Sequence, residues 1–89
     1  MIILSNKAYY GTDTVVYNLY KDTEDIPGGL VTCTFTSKGA IVSIELYGSC
    51  WNKGVHHYLD EICEVLKFAE PNVRPIKVEI NKVGVGIDE

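Results

Sequence analysis

The stretch from Leu30 to Tyr47 constrains the fold more than any other part of the chain. It reads Leu-Val-Thr-Cys-Thr-Phe-Thr-Ser-Lys-Gly-Ala-Ile-Val-Ser-Ile-Glu-Leu-Tyr, two runs of alternating character on either side of Lys38-Gly39. A period of two sends successive side chains to opposite faces of a strand, so the pattern predicts a β-hairpin with one apolar face. With Lys38 and Gly39 as the loop, Val31 pairs with Leu46, Cys33 with Ile44 and Phe35 with Val42, all facing inward. The outer face then sets Thr32 against Glu45, Thr34 against Ser43, Thr36 against Ile41, and Leu30 against Tyr47. A slip by one residue would exchange the faces, so burial is expected to hold the register.

From Trp51 to Ala69 the period lengthens to that of a helix. Val55, Leu59, Ile62, Leu66 and Ala69 recur at spacings of three and four, with Tyr58 and Val65 alongside, while Lys53, His57, Asp60, Glu61, Glu64 and Lys67 fill the opposite arc. Ser49 or Asn52 can cap its start, and Pro71 with Asn72 ends it. Ile76, Val78 and Ile80 then alternate with Lys77, Glu79 and Asn81, a last strand whose apolar face is expected in the core.

Upstream, Thr14 to Tyr20 is β-prone on both faces, which leaves its inward side open. Met1 to Leu4 forms a short apolar run able to pair at either edge, Tyr9 to Asp13 carries turn chemistry, and Lys21 to Gly29 reads as a loop. Gly84 and Gly86 loosen the tail. The order β-β-β-β-α-β predicts an α+β fold: a mostly antiparallel sheet of four or five strands with one long helix on one face. Across 89 residues, 1–89 is expected to be a single compact domain, since two cores would each be too small to hold. One helix covers one face of such a sheet, and the other is open to water or to a homodimer partner.

Eight basic against twelve acidic residues leave a charge of −4, which repels a phosphate backbone, so direct nucleic-acid binding is not expected. No apolar run nears the roughly 20 residues that cross a bilayer, which argues against a membrane partner. Three cysteines, Cys33, Cys50 and Cys63, in a chain whose apolar start breaks off at Ser5-Asn6-Lys7 predict free thiols and a cytoplasmic setting.

Candidate chemistry is sparse. Cys50, His56, His57 and Cys63 are zinc-ligand types, but adjacent helical histidines diverge by about 100° and no C-x-x-C or H-x-x-x-H occurs, so no metal or other cofactor is expected. Cys50 before the helix, with His57 and Asp60 or Glu61, supplies the types of a cysteine nucleophile without a glycine-framed turn or oxyanion element, and no catalytic residue is assigned. Gly28-Gly29 and Gly84-x-Gly86 do not feed a helix as phosphate loops do.

Surface chemistry is richer. Six tyrosines and one tryptophan exceed what one helix can bury. Tyr47 and Ile41 on the outer sheet face, Asp22, Glu24 and Asp25 in the loop, and Asp60, Glu61 and Glu64 on the helix are the candidate partner-binding residues. They point to a non-enzymatic protein-interaction module for a basic protein surface. A small-ligand or signalling-nucleotide binder and a Cys/His enzyme are the alternatives. In size and acidity the chain resembles the small proteins that phages and mobile elements encode to disable host machinery, which implies an inhibitor or adaptor.

Overall fold

The computed structural model describes residues 2–21, 26–47, 51 and 55–83, excluding the side chains of Asn6, Val55, His56 and Val83. Five strands, β1 (Ile2–Tyr10), β2 (Thr14–Lys21), β3 (Gly29–Thr36), β4 (Gly39–Tyr47) and β5 (Pro75–Val83), form one sheet in sequence order. The first four run antiparallel; β5 returns parallel to β4 after the helix α1 (Val55–Ala69). A parallel neighbour cannot be reached by a tight turn, so α1 serves as the crossover between β4 and β5. This is the expected α+β architecture, with a helix on one face of a mostly antiparallel sheet.

Alternation fixes which face is covered. Val15, Tyr17 and Leu19 of β2, Val31 and Cys33 of β3, and Ala40, Val42, Ile44 and Leu46 of β4 are buried with Tyr58, Ile62 and Leu66 of α1. A fully buried aliphatic side chain of this kind contributes about 1.5–3 kcal/mol, so this layer is the main source of stability. The backbone of α1 approaches the two edge strands, β1 and β5, while the central strands stand off by the depth of the side chains between them.

Several expectations are corrected. The hairpin loop is Ser37-Lys38, and Gly39 opposes Thr36 within the ladder. The Lys38 amide donates to Thr36 Oγ1 (3.2 Å) and that hydroxyl donates to the Gly39 carbonyl (2.8 Å), which closes the turn one residue early. Gly39 sits at φ 144°, and a Cβ there would lie 2.6 Å from the Arg74 carbonyl oxygen, so the glycine serves a close approach. Val31 consequently pairs with Ile44, Cys33 with Val42 and Phe35 with Ala40. Moving the pairing by two residues preserves parity, so Val31, Cys33, Val42, Ile44 and Leu46 are buried as expected, but Phe35, also expected inward, lies beside the turn past the reach of the core and is 37% exposed.

β1 runs to Tyr10 and not to Leu4, pairing with β2 along its length across a bulge between Ser5 and Ala8. The extra residue lets a polar stretch, Ser5-Asn6-Lys7, continue the strand. Among the described residues the helix spans Val55–Ala69, with Trp51 outside it, and Ala69 is exposed in its last turn. Ile80 is half-buried against the core, but Ile76 and Val78 are 54% and 38% exposed. The helix side chains on that flank, Asp60, Cys63, Glu64 and Lys67, are short or charged and do not fill the space beside β5. The cap candidates Ser49 and Asn52, Lys53, and Gly84 and Gly86 lie outside the described residues.

Candidate functional site

A helix advances about 100° per residue, so positions four apart lie nearly in line along one face. Asp60, Glu64 and Phe68 are four apart and all exposed, with Glu61 beside them. Phe68 is 91% exposed, the most of any large apolar side chain among the described residues. Water thus surrounds an aromatic ring on a ridge of carboxylates, two of which, Asp60 and Glu64, also reach the groove on the β5 side of α1. Phe68 escaped the sequence reading because it falls outside the apolar stripe. The available signal was that displacement itself: a phenylalanine on the charged arc stands apart from the apolar stripe that packs on the sheet.

Between α1 and the sheet's β5 side runs a groove of about 330 Å³. Val42, Leu66, Val73 and Val78 supply apolar lining, and Asp60, Glu64 and Lys67 bring charge to it. Burial, then the Asp60 carboxylate, push the Cys63 thiol up from its ordinary range. Cys33, wholly buried, is pushed up to about 11 by burial first and Glu70 second. Neither is poised as a thiolate nucleophile. Cys50 lies outside the described residues, as does the His56 side chain, and the His57 ring is exposed and stacks edge-on against Tyr58 at 5.0 Å. Among the described residues, no three histidine, cysteine or carboxylate side chains gather to hold a metal ion.

The structure separates the other expected contact residues from this ridge. Ile41 and Tyr47 project from the outer sheet face, half-buried, whereas α1 packs on the inner one. They also sit near opposite ends of β4, roughly 20 Å apart at ~3.4 Å per residue. Tyr47 does not oppose Leu30: its amide donates to Gly28 (2.7 Å), and Leu30 faces Glu45. The Tyr47 hydroxyl donates to Glu45 Oε1 at 3.1 Å, with burial, then this carboxylate, raising its pKa. The row between Ile41 and Tyr47 is Ser43 and Glu45, so no apolar strip joins them. Asp22, Glu24 and Asp25 lie outside the described residues.

The aromatic surplus divides by position. Trp51 is wholly buried, with its indole donating to the Gly28 carbonyl (2.9 Å) and its ring edge-on to Tyr58 at 4.9 Å. The Lys21 ammonium lies over both rings, 5.5 and 5.4 Å from their centroids. Tyr17 is buried at the other end of α1, while Tyr9 and Tyr10 are exposed on β1. Structure therefore absorbs three of the seven rings, and Tyr20 joins Tyr47 as half-buried on the outer face.

Among the described residues no helix is long and apolar enough to cross a membrane. The class that fold and site define is a small α+β domain presenting a helix ridge. No family model, curated protein or solved structure matches the chain.

Proposed function

We propose that the chain is a non-enzymatic protein-interaction module that docks through the outward ridge of α1 onto a basic protein surface. The observation that carries this reading is the line Asp60, Glu64 and Phe68, with the ring 91% exposed among carboxylates. An exposed aromatic ring loses water favourably on entering a pocket, and surrounding charges steer and orient the encounter. A complementary partner offers an apolar pocket rimmed by lysine or arginine. Many such surfaces hold nucleic acid, so a bound acidic domain would compete for them and act as an inhibitor or adaptor of the phage or mobile-element kind. The groove beside α1 is less suited to a signalling nucleotide, because Asp60 and Glu64 at its rim repel phosphate.

The test uses wild-type chain, Phe68→Ser, and the Asp60→Lys, Glu64→Lys double variant as baits in native cell lysate, with mass spectrometry of retained proteins and small molecules. All three positions are exposed, so unfolding midpoints should match. A basic protein held by wild type and lost from both variants supports the ridge. Equal retention by all three baits, or a small molecule retained with no protein, overturns it.

A further inference from the structure

β5 is an edge of the sheet: among the described residues its one neighbouring strand is β4. Edge strands present a row of backbone groups that another chain can pair with, and proteins commonly blunt them with bulges or charge. The opposite edge, β1, carries such a bulge between Ser5 and Ala8. In β5 an irregularity falls at Ile76, between Pro75 opposite Ala40 and Lys77 opposite Ile41, and from Lys77 to Val83 pairing with β4 is continuous. Val78, in that regular part, is 38% exposed.

The sequence of this edge, Ile76-Lys77-Val78-Glu79-Ile80, is symmetric about Val78 in apolar character and antisymmetric in charge. When two identical strands pair antiparallel about a two-fold axis, residues equidistant from the axis oppose each other. With the axis at Val78, Lys77 of each copy opposes Glu79 of the other and Val78 meets Val78, within the part of β5 that pairs regularly with β4. An axis at Lys77 or at Glu79 would instead set like charges face to face, which disfavours those registers.

We propose that the β5 edge is a self-association surface that takes a second copy of this chain in the register centred on Val78, joining two five-stranded sheets into one. Lys77 and Glu79 already pair within the strand at 3.1 Å and remain half-exposed or more. In the dimer each gains a second neighbour of opposite sign, giving four alternating charges. A two-fold axis perpendicular to the sheet sets the α1 helices of both copies on the same face, and the strand-to-strand pairing itself uses residues of β5 and none of α1. It also differs from dimerisation through the outer sheet face, where Asn18, Thr32, Thr34 and Ser43 stay half-exposed to water.

Sedimentation of the full chain over a concentration series tests it. Wild type should form a dimer, and Lys77→Glu or Glu79→Lys alone should weaken association roughly tenfold by opposing like charges. Combining both substitutions in one chain, or mixing the two single variants, should restore it, with circular dichroism confirming an unchanged fold. Asp60→Lys with Glu64→Lys should leave the dimer intact. A wild type that stays monomeric to high micromolar concentration, single variants that associate as well as wild type, or a folded double variant that does not recover would each overturn the proposal.

Discussion

Glu70, one residue past the end of α1, accepts a hydrogen bond from the Tyr17 hydroxyl of β2 at 2.5 Å across 53 residues of sequence. The Lys7 ammonium pairs with the same carboxylate oxygen from the bulge of β1. One acid thus ties the helix terminus to two strands, and Lys7, then Tyr17, hold its carboxyl below the ordinary value of 4.5.

Glu70→Gln should therefore destabilise the fold by about 1–2 kcal/mol at pH 7, the scale of a lost hydrogen bond to a charged group. A lowered folded pKa contributes stability in full above the unfolded carboxyl value and loses it as pH falls through the folded one. Urea unfolding of wild type and variant should differ at neutral pH and converge as pH falls below the ordinary carboxyl value of 4.5 and through the lowered folded one. At the alkaline end the sign reverses for Tyr17, which burial first and Glu70 second push up to about 12. Its contribution is complete below its ordinary value of 10.0 and is lost as pH rises toward 12. A Glu70→Gln offset that stayed unchanged all the way down the acid limb would contradict this linkage.

Gly39→Ala should cost about 1–3 kcal/mol, the scale of a residue forced into a sparsely allowed conformation. An added Cβ would also lie 2.7 Å from Ile76 Cγ2. Lys38→Ala, in the exposed loop, should change stability by no more than about 0.5 kcal/mol. Denaturant midpoints for the pair distinguish a Ser37-Lys38 turn from a Lys38-Gly39 one; equal costs would contradict the observed turn.

Thiol labelling should follow burial. With Cys33 pushed up to about 11, only about one such thiol in a thousand is ionised at pH 8, and its side chain is wholly covered. Iodoacetamide at pH 8 should modify Cys33 in denaturant and leave it untouched in the folded chain, as read by peptide mass spectrometry. Rapid labelling of the native protein would place Cys33 somewhere other than under α1.

Residues 30–47 show how far the pattern reaches. Alternation was enough to assign Val31, Cys33, Val42, Ile44 and Leu46 to the core, because parity survives a two-residue error in pairing. It did not set the partners, since the choice between two adjacent turns rests on the Thr36 hydroxyl and on the Arg74 carbonyl beside Gly39. The acids of the ridge were legible from helical period alone. Alternation likewise set Tyr47 and Ile41 on the sheet face away from the helix; what it missed is that Leu30 faces Glu45 and not Tyr47, so no apolar strip forms there.

By itself the sequence determined which segments extend, which one coils, and which face of each is apolar, since these follow from periods of two and 3.6 repeated along the chain. Only the tertiary structure decided that β1 reaches Tyr10 across a bulge, that β5 lies at an edge with Val78 part-exposed, and that Phe68 stands in water. Those outcomes depend on which surfaces are left over once the others have packed, and that remainder is a property of the whole assembly of strands and helix.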